Sequence, residues 1–363
     1  MKIAVIAHLK HPVRAPFAGG LEAFTHAVTK SLIASGHDVT LFASAFSDPE
    51  LNVQSILTDR NYDPSSGERL RDPDLSSEYI EEHHAYQKLM LDIDEQHFDV
   101  IFNNCLHYVP VTMANVIRTP MLYVLHTPPF YELKHAIRQE LRSGRVRYAT
   151  VSQANATSWS SIIPEIDVVY NGIDLNAWTY FPKGQQKNYA AWFGRIHPDK
   201  GVHLAIQAAQ KAGIPLKIAG SVSDKRYFKK LVEPLLNDQI ELIGHLDHAG
   251  LNTLIGEARV SLVTPSWQEP FGLVVAESLA CGTPVAGFKM GALPELVNED
   301  SGKLVECGDT DALAAAIGLV CNLDREHIRQ YAEDQFSFTK MMGQYEKLLC
   351  EVAASQHAIV HDV

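Results

Sequence analysis

The sequence predicts an α/β protein of two Rossmann-like parallel-sheet domains, and three observations carry that prediction. Its 363 residues exceed the size at which a single core usually keeps growing. Short apolar runs alternate with helix-like stretches almost from end to end, the pattern of parallel strands joined by crossover helices. A polar break, Pro182-Lys183-Gly184-Gln185-Gln186-Lys187-Asn188, falls between two such series.

In the first series the strands are expected at residues 3–8, 39–44, 100–103, 121–126, 148–151 and 167–170. A helix over 21–35 stops at Gly36, as a C-terminal glycine dictates. Residues 48–74 are polar, carry several turn formers and read as a long loop without regular structure. The second series places strands at 190–193, 216–219, 240–243, 260–263 and 285–288. A helix over 273–280 is closed by Gly282 and Pro284, and from Asp309 onward the chain reads as helical. There is no fixed-period repeat and no low-complexity tract.

Composition narrows the function. Hydrophobic residues make up 46% and charged residues 20%, with no apolar run of bilayer length and no basic-then-apolar leader, so a cytoplasmic protein is expected. Five cysteines without a close pair fit reduced thiols, and neither a disulfide framework nor a zinc site. A formal net charge of −12 disfavours a general nucleic-acid role while leaving room for local basic patches.

Three clusters carry the chemistry. The first is Ser266-Trp267-Gln268-Glu269-Pro270-Phe271-Gly272-Leu273-Val274-Val275-Ala276-Glu277, which sets Glu269 on a loop and Glu277 inside the following helix. Both carboxylates then border one crevice, and between them the N–H groups of Phe271, Gly272 and Leu273 open a helix N-terminus suited to an anion or a hydroxyl. These features read as a sugar-nucleotide site; the plainer reading is a helix N-terminus whose acidic residues suit the dipole. The second is Gly194-Arg195-Ile196-His197-Pro198-Asp199-Lys200-Gly201. Here Arg195 offers a fork of donors and Lys200 a mobile point charge, a pair suited to a diphosphate, unless it is a solvated loop paired with Asp199. The third is His126 in Leu125-His126-Thr127-Pro128-Pro129, at a strand end where crevices form and where two prolines stiffen the backbone. Near the start, Gly19-Gly20 at a helix N-terminus lets a phosphate approach the backbone, although the third glycine of a dinucleotide fingerprint is missing, which demotes NAD and FAD.

In chain order, the Gly19-Gly20 loop, His126, Asn171-Gly172-Ile173-Asp174, the Gly194-Arg195 to Lys200-Gly201 cluster and the Glu269 and Glu277 pair resemble the family-4 retaining glycosyltransferases of the GT-B fold. The likeness runs from Met1 to about Lys347, closest in look to bacterial transferases of antibiotic sugars and surface polysaccharides. It implies two domains facing a cleft, an acceptor-side domain at 1–173 and a nucleotide-sugar domain at 174–335, with a helix and tail at 336–363 returning to the first. It implies that Arg195 and Lys200 bind the donor diphosphate and that Glu277 binds the ribose. Glu269, with the amides of Phe271, Gly272 and Leu273, takes the sugar hydroxyls, while Gly244 and Leu246 frame the base. Gly19 and Gly20 join the donor site, and His126 reaches the donor sugar, so that the catalytic set is His126, Arg195, Lys200 and Glu269. The implied reaction is retaining hexosyl transfer, from a UDP-sugar first and GDP-mannose next, to a hydroxyl of a small molecule, a glycan or a lipid-linked acceptor, without cofactor or metal.

Asp72-Pro73-Asp74, Asp92-Ile93-Asp94 and Asp309-Thr310-Asp311 lack the setting of a metal site, and His83-His84 reads as surface helix. Asn104, His107 and Tyr108 are expected to touch the acceptor. Lys134, Arg138, Arg142, Arg145 and Arg147 form a basic stretch, either a solvated face or a peripheral contact with the inner membrane surface. Two rival functions stay open: a sugar-nucleotide epimerase of similar architecture, and a non-catalytic nucleotide-sugar-binding protein.

Overall fold

The computed structural model of the protein describes residues 1–57, 77–142 and 144–359. They fall into two compact units, the first made of Met1–Val151, Ala156–Val169 and Met342–Val363, the second of Ser152–Asn155 and Tyr170–Met341.

Unit 1 is a sheet of seven strands: β1 (Lys2–Ile6), β2 (Asp38–Ser44), β3 (Val53–Leu57), β4 (Val100–Asn103), β5 (Met121–Leu125), β6 (Val146–Thr150) and β7 (Asp167–Val168). Every pair in it is parallel, and the order is β3-β2-β1-β4-β5-β6-β7. The first helices of the chain are α1 (Gly20–Ala34), α2 (Ser77–Asp92), α3 (Val109–Met113), α4 (Tyr131–Glu140) and α5 (Gln153–Trp159). With helices on both faces, central strands become continuously apolar, and Ile3, Ala4, Val5 and Ile6 of β1 have no exposed surface. Strand order reverses between β1 and β4, where Asn104 N–H donates to the Ile6 carbonyl at 2.9 Å, so the crevice of this sheet opens after those two strands.

Unit 2 is a parallel sheet of six strands: β8 (Ala190–Phe193), β9 (Leu216–Ala219), β10 (Ile240–Gly244), β11 (Val260–Val263), β12 (Val285–Phe288) and β13 (Gly302–Val305), in the order β10-β9-β8-β11-β12-β13. Its helices include α6 (Val202–Ala212), α7 (Lys225–Tyr227), α8 (His248–Gly256), α9 (Leu273–Ala280), α10 (Leu293–Leu296), α11 (Thr310–Val320) and α12 (Arg325–Gln335), and α13 (Phe338–Ile359) carries the chain from unit 2 into unit 1. The reversal here lies between β8 and β11, which sets the loop after Phe193 beside the loop after Val263. Arg325 holds the base of this unit. Only 5% exposed, it donates to the carbonyls of Phe181, Gly256, Ala258 and Cys281 and to the Thr283 hydroxyl, and burial pushes its pKa down to about 10, which leaves it cationic at neutral pH.

Three expectations need correction. Residues 48–74 do not begin as loop, because Val53–Leu57 forms β3 on the sheet edge; an edge strand needs only one neighbour, and Gln54 and Ser55 break its apolar pattern. The rest of that stretch, including Asp72-Pro73-Asp74, lies outside the described residues. β13 is a second edge strand that a Gly-Lys-Leu-Val run does not announce, and β7 has only two residues where four were expected. Finally, the i,i+4 spacing of Lys134, Arg138 and Arg142 predicts one helix carrying all three, but α4 ends at Glu140, so Arg142 lies beyond it.

Candidate active site

In unit 2 the site begins at the C-terminal ends of β8, β9 and β10. Gly194 N–H donates to the Ala219 carbonyl at 3.0 Å and Gly220 N–H to the Gly244 carbonyl at 2.8 Å. A Cβ on Gly220 would stand 1.8 Å from the Gly194 oxygen, and its φ of +148° suits glycine alone. Gly194, Gly220 and Gly244 therefore make a ledge of bare backbone across three strand ends, open to close approach by a flat or charged ligand.

The loop after β8 is stitched to the loop after β11. The Thr264 hydroxyl accepts from Trp192 Nε1 at 3.2 Å and lies 3.1 Å from each of the Lys200 and Gly201 carbonyls. Ser266 N–H donates to the Asp199 carbonyl at 2.7 Å, and its hydroxyl to the Pro198 carbonyl at 2.8 Å. This stitching brings Lys200 and Glu269 together, Nζ to Oε2, at 2.5 Å. Trp267 Nε1 donates to the same oxygen at 3.0 Å, and Lys200 Nζ lies 5.6 Å from the Trp267 ring centre. Arg195 is exposed at the same edge, and its guanidinium has no partner among the described residues.

Beyond Glu269 the chain enters α9, whose N-cap Gly272 offers no side chain; Val275 N–H donates to the Gly272 carbonyl at 2.9 Å, and the N–H groups of Leu273 and Val274 remain for a ligand. The N-terminus of α6 differs: the Tyr227 hydroxyl sits 3.4 Å from His203 N and 2.7 Å from His203 Nδ1 and fills that end. Glu277, one turn into α9, has no hydrogen-bond partner among the described residues, and burial pushes its carboxyl pKa up to about 7. A poorly solvated carboxylate without donors is placed to accept from hydroxyls. Gly244 ends β10, the edge strand next to β9, and Leu246 follows it.

In unit 1, His126 follows β5. Its Nε2 donates to Asn104 Oδ1 at 3.0 Å, the Phe24 ring packs edge-on at 4.7 Å, and burial pushes its pKa down to about 3. The imidazole is therefore neutral at working pH, with Nδ1 as its remaining acceptor. Asn104 has no exposed surface and its Oδ1 accepts from His126, so it fixes the orientation of that imidazole. His107, 5% exposed, accepts at Nδ1 from Val109 N–H at 3.2 Å, stacks on Tyr108 at 4.7 Å and is held neutral by burial, its pKa near 3. His83 is half-buried and bonds the Tyr108 hydroxyl at 2.8 Å, while His84 is exposed. Gly19 and Gly20 do open α1, as N-cap and first residue, but Glu22 is buried in the first turn, with Oε2 3.2 Å from where a Gly19 Cβ would stand. A phosphate there meets a carboxylate already in place.

The remaining acidic pairs have structural work. Asp94 accepts from Arg118 N–H, Thr119 N–H and the Thr119 hydroxyl, and Asp309 caps α11 through Ala312 N–H. Among the described residues no group of three His, Cys, Asp or Glu side chains is arranged to hold a metal ion. Of the basic stretch, Arg147 is engaged by Asp167 and Arg145 by the Ile117 carbonyl while both stay exposed; Arg138 and Arg142 are exposed and Lys134 is half-buried. No helix among the described residues is long and apolar enough to cross a membrane. Sequence reasoning missed Gly220, Thr264 and Gly291, which act through backbone approach or local bonding; a glycine or threonine directly after each apolar strand was the available signal for the first two.

Among solved structures, the Anabaena protein HepE in complex with UDP matches with a TM-score of 0.75 at 21% identity, covering 97% of this chain and 100% of that one. Two doubly wound parallel sheets of this order define the class: a GT-B glycosyltransferase fold. The profile for Glycosyltransferase Family 4 matches residues 18–177, and that for Glycosyl transferases group 1 matches residues 180–335. Glycogen synthase of Mycobacterium tuberculosis is 34% identical over 167 residues, 43% of this chain but only 39% of that enzyme's length. An uncharacterised glycosyltransferase of Methanocaldococcus jannaschii is 26% identical over 359 residues, 88% of this chain and 89% of its own. The chain belongs to the family-4 glycosyltransferases.

Proposed function

We propose that this glycosyltransferase moves a hexosyl unit, with retention, from a nucleoside diphosphate sugar to an acceptor hydroxyl, with a UDP-sugar as first choice of donor and GDP-mannose as second. The observation that carries the reading is the Lys200–Glu269 pair, which joins the loop after β8, where the exposed Arg195 lies, to the loop that enters α9, the helix of Glu277, in the sheet whose strand ends leave the bare backbone of Gly194, Gly220 and Gly244. In this reading Arg195 and Lys200 take the diphosphate and Glu277 the ribose hydroxyls. Glu269, with the N–H groups of Phe271, Gly272 and Leu273, takes the sugar hydroxyls, while Gly244 and Leu246 border the base. The same reading assigns Gly19, Gly20 and His126 to the donor and Asn104, His107 and Tyr108 to the acceptor, with Asn104 also orienting His126.

The bond from C1 of the sugar to the phosphate oxygen breaks, and a bond from C1 to the acceptor oxygen forms on the same face. The acceptor's proton passes to the departing diphosphate. Charge grows on that leaving group, so fixed cations and helix N–H groups lower the barrier without a metal. The neutral His126 serves by hydrogen bonding rather than as a general acid. The acceptor is a small molecule, a glycan or a lipid-linked hydroxyl. Lys134, Arg138 and Arg142 supply a contact for an anionic membrane surface, and a triple Gln variant that floats with anionic vesicles as well as the wild type does removes that contact.

UDP-glucose is among the ligands crystallised with the HepE fold, and that supports testing uridine donors first. Purified protein is screened by calorimetry and mass spectrometry against UDP-, GDP- and ADP-sugars in EDTA. The expected result is selective binding of one donor with slow release of its nucleoside diphosphate. An altered sugar on the same nucleotide points to an epimerase, absence of binding to a non-catalytic role, and activity lost in EDTA but restored by magnesium or manganese overturns metal independence.

A further inference from the structure

We infer that Trp267 is a positioning residue for the donor sugar: its indole N–H keeps the Glu269 carboxylate in place when the donor diphosphate draws Lys200 away. The inference rests on the donor reading above and names a residue that reading does not require.

The Glu269 side chain is only 14% exposed, and two donors converge on its Oε2: Lys200 Nζ at 2.5 Å and Trp267 Nε1 at 3.0 Å. Its Oε1 receives no hydrogen bond from the described residues and is free for a ligand hydroxyl. The backbone beneath is fixed independently. Ala292 N–H donates to the Glu269 carbonyl at 2.9 Å, Gly291 N–H to Gln268 Oε1 at 3.1 Å, and a Cβ on Gly291 would stand 2.1 Å from the Glu269 carbonyl oxygen. With the backbone clamped, rotation of the carboxylate is the freedom left to control, and its two donors control it.

Those donors are not equivalent. Lys200 carries a point charge on a flexible stem and is the natural partner of a diphosphate, whose negative charge exceeds that of one carboxylate. The indole N–H lies on a rigid ring two residues from Glu269 and has no competing role. Once Lys200 turns to the diphosphate, Trp267 alone satisfies Oε2, and Oε1 stays aimed at the sugar. The Trp267 ring also lies within cation–π range of Lys200, at 5.6 Å, so it faces both groups between which the donor intervenes.

The test compares two ligands, UDP and UDP-glucose, or GDP and GDP-mannose if the wild type prefers guanosine, by calorimetry on the full chain. Trp267→Phe, which keeps a ring and loses the N–H, is expected to bind the nucleoside diphosphate within about twofold of the wild type. It is expected to bind the nucleotide sugar about 10- to 100-fold more weakly, the range for losing one hydrogen bond to a charged group. Because Trp267 acts through Glu269, the double variant Trp267→Phe/Glu269→Gln is expected to bind the sugar nucleotide no more weakly than Glu269→Gln alone. Should Trp267→Phe not fold, replacing Trp267 with 3-benzothienylalanine keeps the bicyclic shape while sulfur takes the place of the N–H. Undiminished sugar-nucleotide binding by the folded variant, equal weakening toward both ligands, or losses that multiply in the double variant each overturn the inference and leave the donor reading standing. A wild type that binds no sugar nucleotide overturns the donor reading, and this inference with it.

Discussion

Glu277 sits in α9 with no donor to its carboxylate, and burial holds its pKa near 7 against an ordinary value of 4.5. Because the folded value is raised, the folded state binds the proton more tightly than the unfolded chain does, so stability falls as pH climbs from 4.5 toward 7 and levels off above that. A difference of about 2.5 pKa units at roughly 1.4 kcal/mol each sets the full penalty at roughly 3 kcal/mol. Glu277→Gln removes the ionisation and keeps the shape. Its stability relative to the wild type is therefore expected to improve by roughly 2 kcal/mol between pH 5.5 and 8.5, the part of the penalty that develops in that window. The assay is urea unfolding of the ligand-free proteins across that range, followed by a probe in unit 2, because two units need not unfold as one. Comparing the difference between variants at each pH cancels the titrations they share. A gap that stays constant from pH 5.5 to 8.5 would refute the argument that the half-buried Glu277 carboxylate is poorly solvated and lacks a donor. The same variant is expected to lose donor affinity, so that one substitution stabilises the protein while weakening its function.

Two further outcomes follow from the same unit. Lys200→Ala is expected to leave the far-ultraviolet circular dichroism unchanged and to lower donor turnover about 10²- to 10³-fold, the range for removing one preorganised donor from developing charge; near-normal turnover in a folded variant rejects the role. Gly220→Ala places a Cβ 1.8 Å from the Gly194 oxygen at a φ of +148°, and is expected to destabilise unit 2 by about 2–3 kcal/mol or more in urea, whereas an unchanged midpoint would show that the ledge yields without strain.

The strands were legible wherever burial on both faces made them continuously apolar. Residues 100–103, 190–193, 216–219, 260–263 and 285–288 were each placed to the residue. β3 and β13 were not, because an edge strand has one neighbour and one sheltered side, and its sequence need not advertise either. The position of Glu269 on a loop and Glu277 in a helix was readable from a strand signal followed by a helical run and a stop glycine, and α9 runs over Leu273–Ala280 as that pattern dictates.

The sequence by itself determined the fold class, the helix stops and the residues able to carry charge at strand ends, since these follow from local periodicity and from what each side chain can donate or accept. Only the tertiary structure decided which groups meet. It paired Lys200 with Glu269 across 69 positions, turned Asn104 inward to His126, gave Arg147 to Asp167, and left Glu277 without a partner. Partners so distant in sequence are set by strand order, which places the loop after β8 beside the loop after β11, and strand order depends on how whole sheets pack rather than on any one segment.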